Sequence, residues 1–257
     1  MCTPHCMAYK PWITELARTT DSFLCALDYD RPPETGLATV TEQGVEAYTY
    51  LVNEMGIASD RIVICGDSAG GNLALSVALA IRDRKLPLAG GLVLLSPWGD
   101  LSLTEDQLLS DNAFYDFLPI ELIYKFANFC ADASGEPTTS PVVSPALAKS
   151  LDLGIPIYCT FGEVEVLRFS IEDLCKRFIR ENSKPVTVHM IMDMPHDCCT
   201  LLETGQGTIK EAIAVVAGRI RDMVITAGPG PNMRILNPPV GRSFAAPIYG
   251  VNDLATV

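Results

Sequence analysis

The stretch "RIVICGDSAGGNLALSVALAI" (Arg61 to Ile81) runs from a short apolar segment, through glycines that flank a serine, into an alanine-rich helical pattern. Gly66-Asp67-Ser68-Ala69-Gly70 fits G-x-S-x-G, a motif that carries meaning only where a strand precedes it and a helix follows. Both conditions hold here. A strand-to-helix turn this tight leaves no room for bulky neighbours, which is the reason to expect Gly66 and Gly70 on either side of the serine. Ser68 then projects its hydroxyl at the C-terminal edge of a sheet. The following helix aims its free N–H groups at the same point, where they favour developing negative charge. Ala69 N–H is the natural first donor to an oxyanion formed there.

Outward from this turn, short apolar runs alternate with longer helical patterns. Ser22 to Tyr29, Arg61 to Gly66, Ala89 to Pro97, Pro156 to Gly162 and Val186 to Met194 read as strands. Most lack strict alternation, as parallel strands covered on both faces do. Helices are expected over Pro11 to Thr19, Thr41 to Glu54, Gly70 to Arg84, Ser170 to Glu181 and Ile209 to Ile225. The alternation predicts an α/β fold: a mostly parallel sheet flanked by helices, joined by right-handed crossovers. Residues 1–226 form that domain. A lid-like insertion at about 105–135 interrupts it, rich in aromatics and helical spacing. Residues 227–257, rich in proline and glycine, read as a loosely held tail.

A neutral serine hydroxyl needs a base, usually a histidine oriented by a carboxylate. The order expected with this elbow is serine, acid, then histidine. Of three histidines, His5 precedes the serine and His189 lies inside the last strand pattern. His196 follows that strand, in "DMPHDCC", at the same sheet edge as Ser68, and is the candidate base. The acid should follow the preceding strand, where "GEVEVLRFS" offers Glu163 and Glu165; Asp197, beside the histidine, is a further alternative.

Composition excludes several partners. A net charge of -12 tells against nucleic acid, whose phosphates need a basic face. No segment reaches the ~18 apolar residues of a membrane span, and "MCTPHCMAYK" lacks the pattern of a signal peptide. Nine cysteines form no disulfide framework and no metal-site spacing. They read as reduced thiols of a soluble, cytoplasmic protein. Cys198 or Cys199 as nucleophile is the competing reading, with poorer context than Ser68. Neither a cofactor nor a metal is implied.

Several segments together resemble the hormone-sensitive-lipase-like (type IV) esterases of the α/β-hydrolase fold, over about Ala8 to Met223. "LDYDRPPE" (Leu27 to Glu34) is similar to that family's D-Y-R-L-A-P-E, with Arg31 one place late and Asp30 in place of the arginine. "RIVICGDSAGGNLA" matches almost residue for residue. "LLSPWGDLS" (Leu94 to Ser102) and "SPVVSPALA" (Ser140 to Ala148) resemble two more signatures. The family's G-x-x-[DE]-x-L pattern falls on Gly162 to Leu167, which puts the acid role on Glu165, and the family histidine corresponds to His196. The resemblance implies a carboxylic ester hydrolase acting on a small-molecule ester. The family's H-G-G-G loop, which completes its oxyanion hole, does not occur in these 257 residues. Neither do counterparts of its first three strands, with "SFLCALDY" corresponding to the fourth. The expectation is therefore an N-terminally incomplete sheet, in which that strand either pairs directly with the next or recruits a partner, and weak or no turnover. Two other functions share the scaffold. One is ligand binding without catalysis, as in the plant gibberellin receptors, although those lack the histidine. The other is acyl transfer or lyase chemistry in a biosynthetic pathway.

Overall fold

The computed structural model describes residues 10–103, 111–200, 207–225 and 248–249. His5, Cys2, Cys6, the first part of the insertion and most of the C-terminal tail lie outside them. Among the described residues four parallel strands make the main sheet: β2 (Val63–Asp67), β3 (Gly91–Leu95), β4 (Ile157–Gly162) and β5 (Val186–Ile191). They lie side by side in that order. Among the described residues six helices accompany them: α1 (Lys10–Thr20), α2 (Leu37–Asn53), α3 (Ser68–Asp83), α4 (Ile120–Ser134), α5 (Arg168–Glu181) and α6 (Gly207–Ile225). The fold is the expected α/β one, with expected and observed helices agreeing to within a few residues. None of these helices is long and apolar enough to cross a membrane.

The sheet separates two apolar layers, because successive side chains of a strand point to opposite faces. On one face Leu92, Leu94, Ile157 and Cys159 pack with α2, α3 and α5 around Leu75, Ile81 and Phe178. On the other, Val93, Leu95 and Tyr158 meet Trp12 and Leu16 of α1 and Val216, Ala217 and Ile220 of α6. β3 and β4 are buried along their whole length, whereas every residue of β2 is only half-buried. β2 stands at the edge of the sheet with β3 as its one neighbour among the described residues.

The strand read over Ser22 to Tyr29 is the main correction. Only Leu24–Cys25 (β1) is extended and paired, and it pairs antiparallel with Ile248–Tyr249 (β6), outside the four-stranded sheet. Direct pairing with β2, one of the two outcomes expected, is not formed. No residue from Asp21 to Asp30 is buried, and Phe23 is exposed. A strand inside a two-faced parallel sheet is buried on both sides; an apolar run that finds no sheet neighbour does not stay extended. Two residues of the C-terminal segment thus have a defined partner.

Candidate active site

Ligands of an open parallel sheet bind beyond the C-terminal ends of its strands, and the residues singled out in the sequence gather there. β2 runs straight into α3 with Ser68 as the first helical residue. Ser68 has φ 48°, left-handed backbone that costs an L-residue energy. The turn closes so tightly that a Cβ on Gly66 would lie 2.1 Å from the carbonyl oxygen of Gly70. At Gly70 itself a Cβ would meet only Asp67 Oδ1 at 3.6 Å, an ordinary contact, while at Gly71 it would lie 2.8 Å from Pro97 Cβ. The second crowded position is therefore Gly71 and not Gly70. Trp98 N–H donates to the Ser68 carbonyl at 2.9 Å and fixes the turn from the next strand end. Ala69 lies in the first turn of α3, where N–H groups have no acceptor within the helix.

His196 is reached from the far side of the sheet. Its Nε2 lies 2.8 Å from Ser68 Oγ and its Nδ1 lies 2.7 Å from Glu165 Oε2. Glu165 is fully buried and His196 nearly so. The other carboxylate oxygen, Glu165 Oε1, accepts the N–H of Gly162 at 2.9 Å. Glu163 points elsewhere: its Oε2 accepts the Asp193 N–H at 3.0 Å, on the exposed rim. Asp197 lies on the opposite side of the imidazole from Glu165, with Oδ2 3.4 Å from Nε2. Of the three carboxylates that the sequence offers as the acid, Glu165 alone meets Nδ1.

Burial alone would pull the His196 imidazole down, but the carboxylates of Asp197, Glu165 and Asp116 outweigh it and lift its pKa to about 9. Burial pushes the Glu165 carboxyl up, against the opposing effect of the imidazole. Cys198 and Cys199 are buried in the layer facing α6.

Two residues of the insertion take part, and nothing in their spacing marked them. Asp116 Oδ2 accepts the Val166 N–H at 2.7 Å and Oδ1 accepts the His196 N–H at 3.3 Å, so one side chain ties the loop after β4 to the loop after β5. Asn112 Nδ2 donates to the carbonyls of Glu163 and Glu165 at 3.2 and 3.0 Å. The described part of the insertion thus braces these loops as well as walling a pocket. That pocket, about 160 Å³, opens beside Ser68 and is lined chiefly by apolar groups, among them Tyr29, Val40, Leu73, Trp98, Leu118 and Phe126.

Comparison with known proteins agrees with this architecture. A family model described as the alpha/beta hydrolase fold matches residues 1–200. An acetyl-hydrolase of Streptomyces hygroscopicus is 31% identical over 171 residues, which is 66% of this chain and 56% of that protein. An esterase of Acinetobacter venetianus is 30% identical over 183 residues, 70% of this chain and 57% of that one. The chain thus spans about half the length of these curated relatives. The crystal structure of an esterase from the bacterial hormone-sensitive lipase family superposes with a TM-score of 0.74 at 28% identity, covering 81% of this chain and 68% of that one. By sequence match and by superposition alike, the chain belongs to the hormone-sensitive-lipase-like family of the α/β-hydrolase fold.

Proposed function

We propose that this protein is a carboxylic ester hydrolase that works through an acyl-enzyme on Ser68. Ser68 Oγ attacks the ester carbonyl while His196 Nε2 takes its proton and returns it to the departing alcohol. Glu165 holds the Nδ1–H side of the ring, fixes its orientation and stabilises its cation. Water, activated by the same histidine, then releases the acid. Ala69 N–H is the donor assigned to the oxyanion. The observation that carries the reading is the continuous chain Ser68–His196–Glu165, with contacts of 2.8 and 2.7 Å, at the mouth of an apolar pocket. The names of the relatives, esterase and acetyl-hydrolase, support ester substrates. Seven free cysteines among the described residues fit a reducing compartment such as the cytoplasm.

The test is labelling of Ser68 by a fluorophosphonate together with hydrolysis of a short acyl ester by the 257-residue chain. Labelling is expected, and Ser68→Ala should abolish it. Each oxyanion donor is worth about 10²–10³ in rate, so turnover is expected to fall below that of esterases carrying an H-G-G-G loop by roughly that factor. Glu165→Gln should lower whatever rate is measured by about 10²–10⁴. Labelling that survives Ser68→Ala would sink the assignment.

A further inference from the structure

His196 has a carboxylate at each ring nitrogen. Glu165 occupies the Nδ1 side at 2.7 Å, and on the Nε2 side Asp197 Oδ2 stands at 3.4 Å, beside Ser68 Oγ at 2.8 Å. One ring nitrogen therefore faces two oxygens. The approach of Asp197 is a built feature. A side chain adjacent in sequence reaches back over its neighbour's ring here because Asp197 adopts φ 52° and its N–H donates to Ser96 Oγ at 3.1 Å. Ser96, at the end of β3, is itself left-handed at φ 43°. Left-handed backbone at a non-glycine residue is strained and persists only where its surroundings impose it. Asp197 Oδ1 is buried without a hydrogen-bond partner among the described residues. Neither feature would be expected of a side chain that merely fills space.

We propose that Asp197 is a positioning residue for ester cleavage: a second carboxylate partner of His196, on the Nε2 side, that competes with Ser68 for that nitrogen and holds the imidazolium formed when the serine gives up its proton. The inference rests on the reading of Ser68 and His196 as nucleophile and base. In the step concerned, the Ser68 Oγ–H bond breaks as the bond from Oγ to the carbonyl carbon forms, and the carbonyl electron pair moves to its oxygen. The proton sits on Nε2 between Oγ and Asp197 Oδ2 until the alkoxide leaves with it. A carboxylate there lowers the cost of the cation but makes neutral imidazole scarce.

Glu165, from the loop after β4, and Asp116, from the insertion, favour the imidazolium as Asp197 does. Burial pushes the Asp197 carboxyl itself up; the imidazolium opposes that shift, and Asp67 at the end of β2, Glu165 and Cys198 add to it. Burial lowers the imidazole pKa, and Asp197 heads the carboxylates that reverse this and bring it to about 9. Below that pH, His196 is cationic and cannot accept the Ser68 proton, so activity should rise with pH through about 9.

The experiment is titration of the full chain labelled with ¹³C at histidine Cε1, followed by NMR from about pH 5 to about pH 10, with His196 assigned by His196→Gln. Asp197→Asn keeps the shape and removes the charge. It should move the His196 transition to about tenfold higher proton concentration or more, and Asp197→Glu should restore part of the shift. The acid limb of Ser68 phosphonylation should move by the same amount, raising the rate at neutral pH. An unmoved His196 transition in folded Asp197→Asn overturns the proposal. Should that variant not fold, Asp197→Gly, which suits the left-handed backbone and removes the carboxylate, must move the transition in the same direction, and no movement overturns the proposal equally. Survival of labelling in Ser68→Ala would instead strike the hydrolase reading, while the titration still reports on Asp197.

Discussion

The elbow that carries Ser68 and the corner that carries Glu165 and His196 lie at the same sheet edge but depend on different contacts. The elbow is contiguous: residues 66–71 fold back on themselves, with Gly66 against the Gly70 carbonyl, at the end of a half-buried strand with one neighbour among the described residues. The corner is assembled from three distant segments. Gly162 ends a strand buried throughout and lies under the Met194 and Pro195 carbonyls, 2.1 and 2.6 Å from where a Cβ would stand. Glu163 N–H donates to Ile191 O, Val164 N–H to Met194 O, and Asp116 bridges Val166 and His196. The nucleophile is thus shaped chiefly by its local backbone, with Trp98 N–H and Pro97 as its outside contacts, and its partners by tertiary contacts alone.

That difference is open to test with one methyl group on each side. Gly66→Ala sets a Cβ against a carbonyl within its own turn, which can move only by unwinding the start of α3. We expect destabilisation of about 3 kcal/mol or more and complete loss of Ser68 labelling. Gly162→Ala meets carbonyls of a separate loop, which can shift as a body. A smaller loss of stability, about 1–3 kcal/mol, should come with severe loss of activity, because His196 moves with that loop. Thermal unfolding and labelling of the same two proteins check both. Equal effects on both quantities would erase the distinction between elbow and corner.

Asp116 sharpens the comparison at a lower level of effect. Asp116→Ala strips the acceptor from two backbone N–H groups at once, a cost of about 1–3 kcal/mol for each one left buried. A misplaced base costs up to about 10²-fold in rate. The loss should fall on kcat with KM little changed, and Asp116→Asn, whose amide oxygen still accepts one N–H, should recover part of it. A matched fall in stability without any fall in kcat would reduce Asp116 to a structural brace.

The same division governs what could be read from the sequence. The elbow was legible because its chemistry lies within a few adjacent residues, each glycine a steric statement; only the second crowded position, Gly71 in place of Gly70, needed coordinates. Strand order put Glu163, Glu165 and His196 at that edge, and the choice of Glu165 over Glu163 came from the family resemblance alone. Asp116 was not legible, since its partners lie 50 and 80 positions away and no periodicity links them. Asp197 was visible as a neighbour of the histidine, but the side of the ring it faces follows from its left-handed φ of 52°. The strand read at Ser22 to Tyr29 failed for the complementary reason: β-structure is a property of pairs, and among the described residues its apolar side chains have no partner in the main sheet.

The smallest expected effect tests how fine the corner's geometry is. Glu163 and Glu165 are two residues apart, both carboxylates at the end of β4, and the sequence offered both as the acid. Their surroundings differ sharply. Glu165 is fully buried with one oxygen on His196 and the other on the Gly162 N–H, whereas Glu163 reaches the Asp193 N–H at the exposed rim. Asp193 itself has φ 57°, so Glu163 helps hold a left-handed residue three positions before His196. Glu163→Gln keeps an oxygen able to accept that N–H and removes a charge that water already screens. Its effect on kcat should stay within about twofold, and on stability within about 0.5 kcal/mol, the range of surface changes that spare a specific contact. Measured beside Glu165→Gln on one ester at one pH, the pair isolates what burial adds to a carboxylate. Near-equal losses would mean that the loop after β4 tolerates no change of charge, and that the Nδ1 contact is not what distinguishes the two.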